Sequence, residues 1–202
     1  MANKKTRALD RSEFELIIDT IKKGFNTNTG EKVRPNIRIA TALTLQANIG
    51  LRIGDVIKMR LSDIVYESGR YHFNSFIEGK TKKQRTFTVP VEVYSYLQSY
   101  ALEYGITTNG RLFNLTERAV QKHLQLVCNY LGLEDISTHS FRKFFANTIY
   151  IENDYDVELV RELLQHSSVA VTQHYLSVDR KQIERALQKH IYLPIQWRTI
   201  LY

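Results

Sequence analysis

The 202-residue chain holds a single cysteine, Cys128. One thiol cannot close an intramolecular disulfide, and it cannot furnish a cysteine-rich zinc site. Long apolar runs are missing too. The most apolar stretches, such as Ile39 to Leu45, fall far short of the ~20 residues that a membrane-spanning helix needs. The opening MANKKTRALDRSEF is basic but has no apolar core behind it, so it does not read as a secretory signal. No internal repeat, low-complexity tract or interdomain linker interrupts the chain. P-loop, HExxH and paired-aspartate signatures are also lacking. These absences set an expectation of a cytoplasmic protein with no membrane contact, no bound metal and no nucleotide cofactor.

What remains suits a globular core: 43% hydrophobic and 24% charged residues, on a chain long enough for one well-buried core or two small domains. The 28 basic residues outnumber the 21 acidic ones, for a net charge of +7. That excess fits a polyanionic partner, although many basic proteins never touch nucleic acid. Its distribution is more telling. Lys80, Lys82, Lys83 and Arg85 fall within six residues that contain no acid.

The apolar spacing predicts a mostly helical α+β fold. Ser12 and Glu15 fit a capping box for a helix over 11–24. The segment from Phe25 to Arg34 reads as a polar loop, and Pro35 opens a second, buried helix that Gly50 stops after Ile49. A short third helix is expected from Arg52 to Arg60. The period then changes. Ile64 to Tyr66, Tyr71 to Ile77 and Thr86 to Val89 read as a small three-stranded antiparallel sheet, with Tyr71, Phe73 and Ile77 on one face. Helical spacing returns over about 91–104, 116–131, 139–152, 156–165, 168–176 and 179–190. Residues 1–190 are expected to form one domain, followed by an apolar, aromatic tail at 191–202.

Four fragments can carry chemistry, and each has an ordinary structural alternative. In Thr138-His139-Ser140-Phe141-Arg142, one helical turn separates an imidazole from a guanidinium, and the pair could hold an anion. Solvated basic residues at a helix start explain the same letters. In Glu162 to Ser168, a helix ends near His166 and Ser167 or Ser168 caps another, which brings up Tyr175. By itself Tyr175 reads as a half-buried aromatic residue. Arg52 follows a helix-ending glycine, and Asp55, three residues on, could fix its pose. A surface pair of that kind is worth only ~0.3–0.5 kcal/mol. Lys80 sits between two strands and could swing into a site, or could merely oppose aggregation at a hairpin tip.

Together and in this order, the fragments resemble the tyrosine recombinase (phage integrase) family. The family pattern of Arg, Lys, His-x-x-Arg, His or Trp, then Tyr is matched by Arg52, Lys80, His139, Arg142, His166 and Tyr175. THSFRKFFAN and LLQHSSVAVTQHYL are the most specific parts, and the resemblance covers roughly residues 10–185. It implies the family's catalytic domain alone, as in short single-domain integrases and the DNA-inversion recombinases of fimbrial switches. It also implies double-stranded DNA as partner and a homo-tetramer on DNA, with a monomer as the alternative for the free protein. The tail would dock on a neighbouring protomer or on its own domain.

The resemblance assigns roles as well. Arg52 and Arg142 would cover the non-bridging oxygens of the phosphate and His166 would hydrogen-bond one of them. Tyr175 would attack, His139 would take its proton, and Lys80, with Lys82 as second candidate, would protonate the departing 5′ oxygen. Asp55 would support Arg52, and Lys82, Lys83 and Arg85 would contact DNA. Two other readings compete: a type IB topoisomerase with the same chemistry, and a non-catalytic DNA-binding protein built on a decayed recombinase.

Overall fold

The computed structural model describes residues 6–27, 30–74, 76–85 and 88–176. The expected helix at 179–190 and the tail at 191–202 lie outside the described residues.

Helix α1 spans Arg11–Lys23. Its capping box is Asp10 with Glu13, two residues earlier than Ser12 with Glu15. Asp10 Oδ1 accepts from the Glu13 amide at 2.8 Å and from the Ser12 hydroxyl at 2.7 Å, so the presumed cap serves the real one. Glu15 instead accepts from Arg11. The residues expected as a polar loop contain a two-stranded hairpin, β1 (Phe25–Asn26) with β2 (Lys32–Val33), and Phe25 stacks on Tyr130. Helix α2, Ile37–Ile49, is capped by Asn36 and leaves Pro35 outside. Asparagine supplies an acceptor for an orphan amide, which proline cannot match.

α2 is apolar on nearly every face, as a helix surrounded by others must be. It packs against α1, against the short α3 (Ile53–Val56), and against α6 (Thr138–Glu152). The third helix is therefore one turn, not the nine residues expected to Arg60. A 3-10 turn, Leu61–Asp63, follows it. Strands β3 (Ile64–Glu67), β4 (Arg70–Phe73) and β7 (Thr88–Val89) form the three-stranded antiparallel sheet in the order β3-β4-β7.

The expected middle strand breaks after Phe73. Its continuation, β5 (Phe76–Ile77), pairs with β6 (Gln84–Arg85) as a separate hairpin. The break changes which residues share a face: Phe76 is buried against Phe73, and Ile77 is 60% exposed. Helices α4 (Val91–Glu103), α5 (Glu117–Leu131) and α7 (Val157–Leu164) complete the core layer with α6. α8, Val169–Gln173, is capped by Ser168 and ends two residues before Tyr175. A second, smaller cluster of Phe145, Ala146, Val160 and Leu164 lies between α6 and α7, and Tyr175 packs on it. Among the described residues, no helix is long and apolar enough to cross a membrane.

Candidate active site

The end of α2 sets the floor of the site. Gly50 takes a left-handed φ of 64°, which turns its carbonyl toward α6 and leaves Arg52 extended as the N-cap of α3. A side chain at Gly50 would meet the Phe145 ring at 2.5 Å. Arg142, on α6, is fully buried. Its guanidinium donates to the Gly50 carbonyl and to the Leu164 carbonyl, the latter at 2.8 Å, and lies 3.4 Å from His166 Nε2. Carbonyls from two helix ends thus fix a charge that would otherwise be costly to bury.

His166 is 4% exposed and follows Gln165, the left-handed cap of α7. Its Nδ1 is 3.1 Å from the Thr172 hydroxyl, which itself donates to the Ser168 carbonyl. Since Arg142 can only donate, a neutral His166 carries its proton on Nδ1 and turns Nε2 toward Arg142 as acceptor. Tyr175 closes this corner. Its ring is 4.7 Å from the His166 ring, centroid to centroid, and the Arg142 Cζ is 5.8 Å from the tyrosine centroid. The Tyr175 amide donates to Thr172, and its carbonyl accepts from Asn147 of α6.

His139, at the first turn of α6, opens onto the cleft. The protein crowded around its ring, and then the charges of Arg142, Arg52, Lys80 and Lys143, hold the imidazole below its ordinary pKa. The β5-β6 hairpin forms the opposite wall. Its tip is tied to the turn after α7: Lys83 Nζ donates to the Gln165 carbonyl at 3.0 Å, and the Gln165 side-chain Nε2 donates to the Gln84 carbonyl at 2.8 Å.

Arg52, Asp55, Lys80, Lys82, His139, Arg142, His166 and Tyr175 all line one cleft of about 560 Å³. Lys83 is held on Gln165 outside it, and Arg85 pairs with Phe76 in β6. Lys80 and Lys82 are both exposed. Five cationic side chains (Arg52, Lys58, Lys80, Lys82 and Arg142) face the cleft against the carboxylates of Asp55 and Glu117. Such a surface suits an anion with several oxygens. Among the described residues, no group of three or more His, Cys, Asp or Glu could hold a metal ion.

One expected contact is corrected. Asp55 does not orient Arg52; its Oδ1 accepts from the Gly79 amide at 2.7 Å and so anchors the hairpin. The acid on Arg52 is Glu78, at 2.6 Å from Nη1 and fully buried. The letter order gave no sign of this pair, because the residues are twenty-six apart. Burial of a lone acid beside the basic hairpin was the available clue, and burial belongs to the fold. Glu117 and Gln121 of α5 also line the cleft without having been expected there.

The phage integrase family model matches residues 7–182. The chain belongs to that family. Tyrosine recombinase XerH of Helicobacter pylori is 26% identical over 195 residues, which cover 91% of this chain and 52% of the relative. For XerA of Pyrococcus furiosus the identity is 25% over 192 residues, covering 91% and 61%. The chain therefore spans between half and two thirds of the length of these relatives. Its fold is that of tyrosine recombinase catalytic domains. The post-cleavage complex of XerH bound to palindromic difH substrate superposes with a TM-score of 0.70 at 23% identity, over 93% of this chain and 54% of that one. The catalytic domain of bacteriophage HP1 integrase gives 0.60 at 18%, over 92% and 95%.

Proposed function

We propose that this chain is the catalytic unit of a site-specific DNA recombinase that cuts and rejoins strands through a 3′-phosphotyrosyl intermediate. The observation that carries the reading is the convergence of Arg52, His139, Arg142, His166 and Tyr175 on one cationic cleft. The Tyr175 hydroxyl must give up its proton as it attacks phosphorus, so the step needs a base. His139 suits that task because its depressed pKa keeps it neutral. The new P–O bond forms to tyrosine as the 5′ oxygen leaves, taking a proton from Lys80. Attack by a 5′ hydroxyl then reverses the step and releases Tyr175, so the bond energy is kept for religation.

Arg52 and Arg142 would neutralise the charge that grows on the non-bridging oxygens. Donors set in place beforehand are each worth roughly 2.7–4 kcal/mol of barrier. His166, beside Arg142, would hydrogen-bond one of the same oxygens. Double-stranded DNA is the substrate on this reading, with Lys82, Lys83 and Arg85 supplying phosphate contacts from the hairpin. The working assembly would be a homo-tetramer on DNA, because exchanging strands between two duplexes needs four nucleophiles.

Tyr175→Phe removes only the hydroxyl. We expect DNA affinity near wild type and no covalent adduct on a nicked suicide duplex. A protease-sensitive adduct formed by the Phe protein would falsify the assignment of Tyr175. Relaxation of supercoiled plasmid by monomeric protein, without strand exchange, would favour a topoisomerase instead.

A further inference from the structure

Glu78 is the one fully buried carboxylate among the described residues, and it stands at the base of an exposed hairpin. A buried charge is costly unless well paired, so its position calls for a reason. Its side chain accepts from Arg52 at 2.6 Å and from the Thr81 hydroxyl at 2.8 Å. Its main chain closes the same turn: the Glu78 amide donates to the Lys83 carbonyl at 2.9 Å, and the Lys82 amide donates to the Glu78 carbonyl at 3.0 Å. Asp55, one turn beyond Arg52, takes the Gly79 amide from below. One residue therefore holds the arginine at the end of α2 and the loop that carries Lys80.

We propose that Glu78 is a positioning residue for phosphoryl transfer, a buried anchor that sets Arg52 and the Lys80 loop relative to each other. Arg52 has a long side chain with 20% of its area exposed to the cleft. Held by Glu78 through Nη1, it keeps its remaining N–H donors for a phosphate in a fixed direction. The Thr81 contact shortens the loop, so Lys80 moves with the same anchor. The proposal rests on the recombinase reading for its chemistry and on the geometry for the linkage.

The test has two arms, both on the full chain. In the DNA-free protein, arginine-selective NMR should show slow rotation of the Arg52 guanidinium. Glu78→Gln, which keeps the shape and removes the charge, should speed that rotation and shift the Gly79 and Lys80 amide signals. In the second arm, DNA enriched from a random duplex pool by Tyr175→Phe protein is nicked and used to trap the adduct. Glu78→Gln should slow adduct formation about 10–100-fold while DNA Kd changes by less than about twofold, the pattern of misplaced groups rather than lost binding. In an Arg52→Ala background the same change should cost clearly less than in wild type, since only its effect on the Lys80 loop remains to be lost.

Thr81→Val covers the case of a poorly folded Gln variant. It should slow ordinary cleavage yet leave a 5′-bridging sulfur substrate unaffected, because only the lysine is displaced. Unchanged Arg52 and Lys80 signals in Glu78→Gln overturn the linkage. A loss of equal size with and without Arg52 overturns the positioning role. Wild-type protein that forms no adduct defeats the recombinase reading instead, and the NMR arm still decides the anchor.

Discussion

At the scale of single residues, the site separates groups fixed by burial from groups left free to respond to DNA. Arg142 is of the first kind, since its carbonyl partners come from the ends of α2 and α7. His139 is of the second. Its pKa lies below the ordinary ~6.5, through crowding by protein first and neighbouring cations second. The sign of the linkage follows. As pH falls through the ordinary value the unfolded chain takes up the proton before the folded one, so His139 costs stability below ~6.5 and nothing well above it. DNA brings negative charge to the same cleft and acts in the opposite direction. An NMR titration should therefore place the His139 midpoint below 6.5 in free protein and higher in the complex with DNA. A midpoint that does not rise when DNA binds would mean that the ring is remote from the phosphate.

At the scale of elements, the α2 end and the β5-β6 hairpin are the two supports. Gly50 unites three tasks: it ends α2 in a left-handed turn, leaves room for Phe145, and presents a carbonyl to Arg142. Gly50→Ala should cost about 2–5 kcal/mol, combining left-handed strain with overpacking. Urea unfolding measures it, and cleavage should fall as well because the Arg142 acceptor moves. A wild-type urea midpoint would show that the turn tolerates a side chain. The hairpin carries the second prediction at this scale. Lys80→Ala should slow cleavage of ordinary DNA and matter little when the 5′ bridging oxygen is sulfur, since a thiolate leaves unprotonated. If sulfur rescues Lys82→Ala and not Lys80→Ala, the general acid is Lys82, whose left-handed φ of 58° places it at the turn.

For the whole molecule, the net charge of +7 gains meaning from its arrangement around the cleft. Binding through phosphates releases counterions, so log K should fall with log[salt] by ~0.9 per phosphate neutralised on duplex DNA. Fluorescence anisotropy across a salt series reads the slope directly. A nearly flat line would place the DNA away from this surface. Charge-removing variants at Lys82 and Lys83 should each lower the slope by about one phosphate if both touch the backbone.

The letters alone were enough for the class of fold and for about half of the residues that line the cleft. Helices α1, α2 and α4 to α7 announce themselves because apolar residues at helical spacing must face a common core. The family pattern picked out Arg52, Lys80, His139, Arg142, His166 and Tyr175, and all six line one cleft. Boundaries were less legible. Asp10 displaced Ser12 as a cap, and the expected middle strand broke after Phe73, because competing caps and strand partners differ by little in local free energy. The fold alone decided that Asp55 holds the hairpin and Glu78 holds Arg52. A carboxylate chooses its partner by distance in space, and the three-residue spacing from Arg52 to Asp55 could not compete once the α2 end turned Arg52 toward the buried base of a hairpin twenty-six residues on.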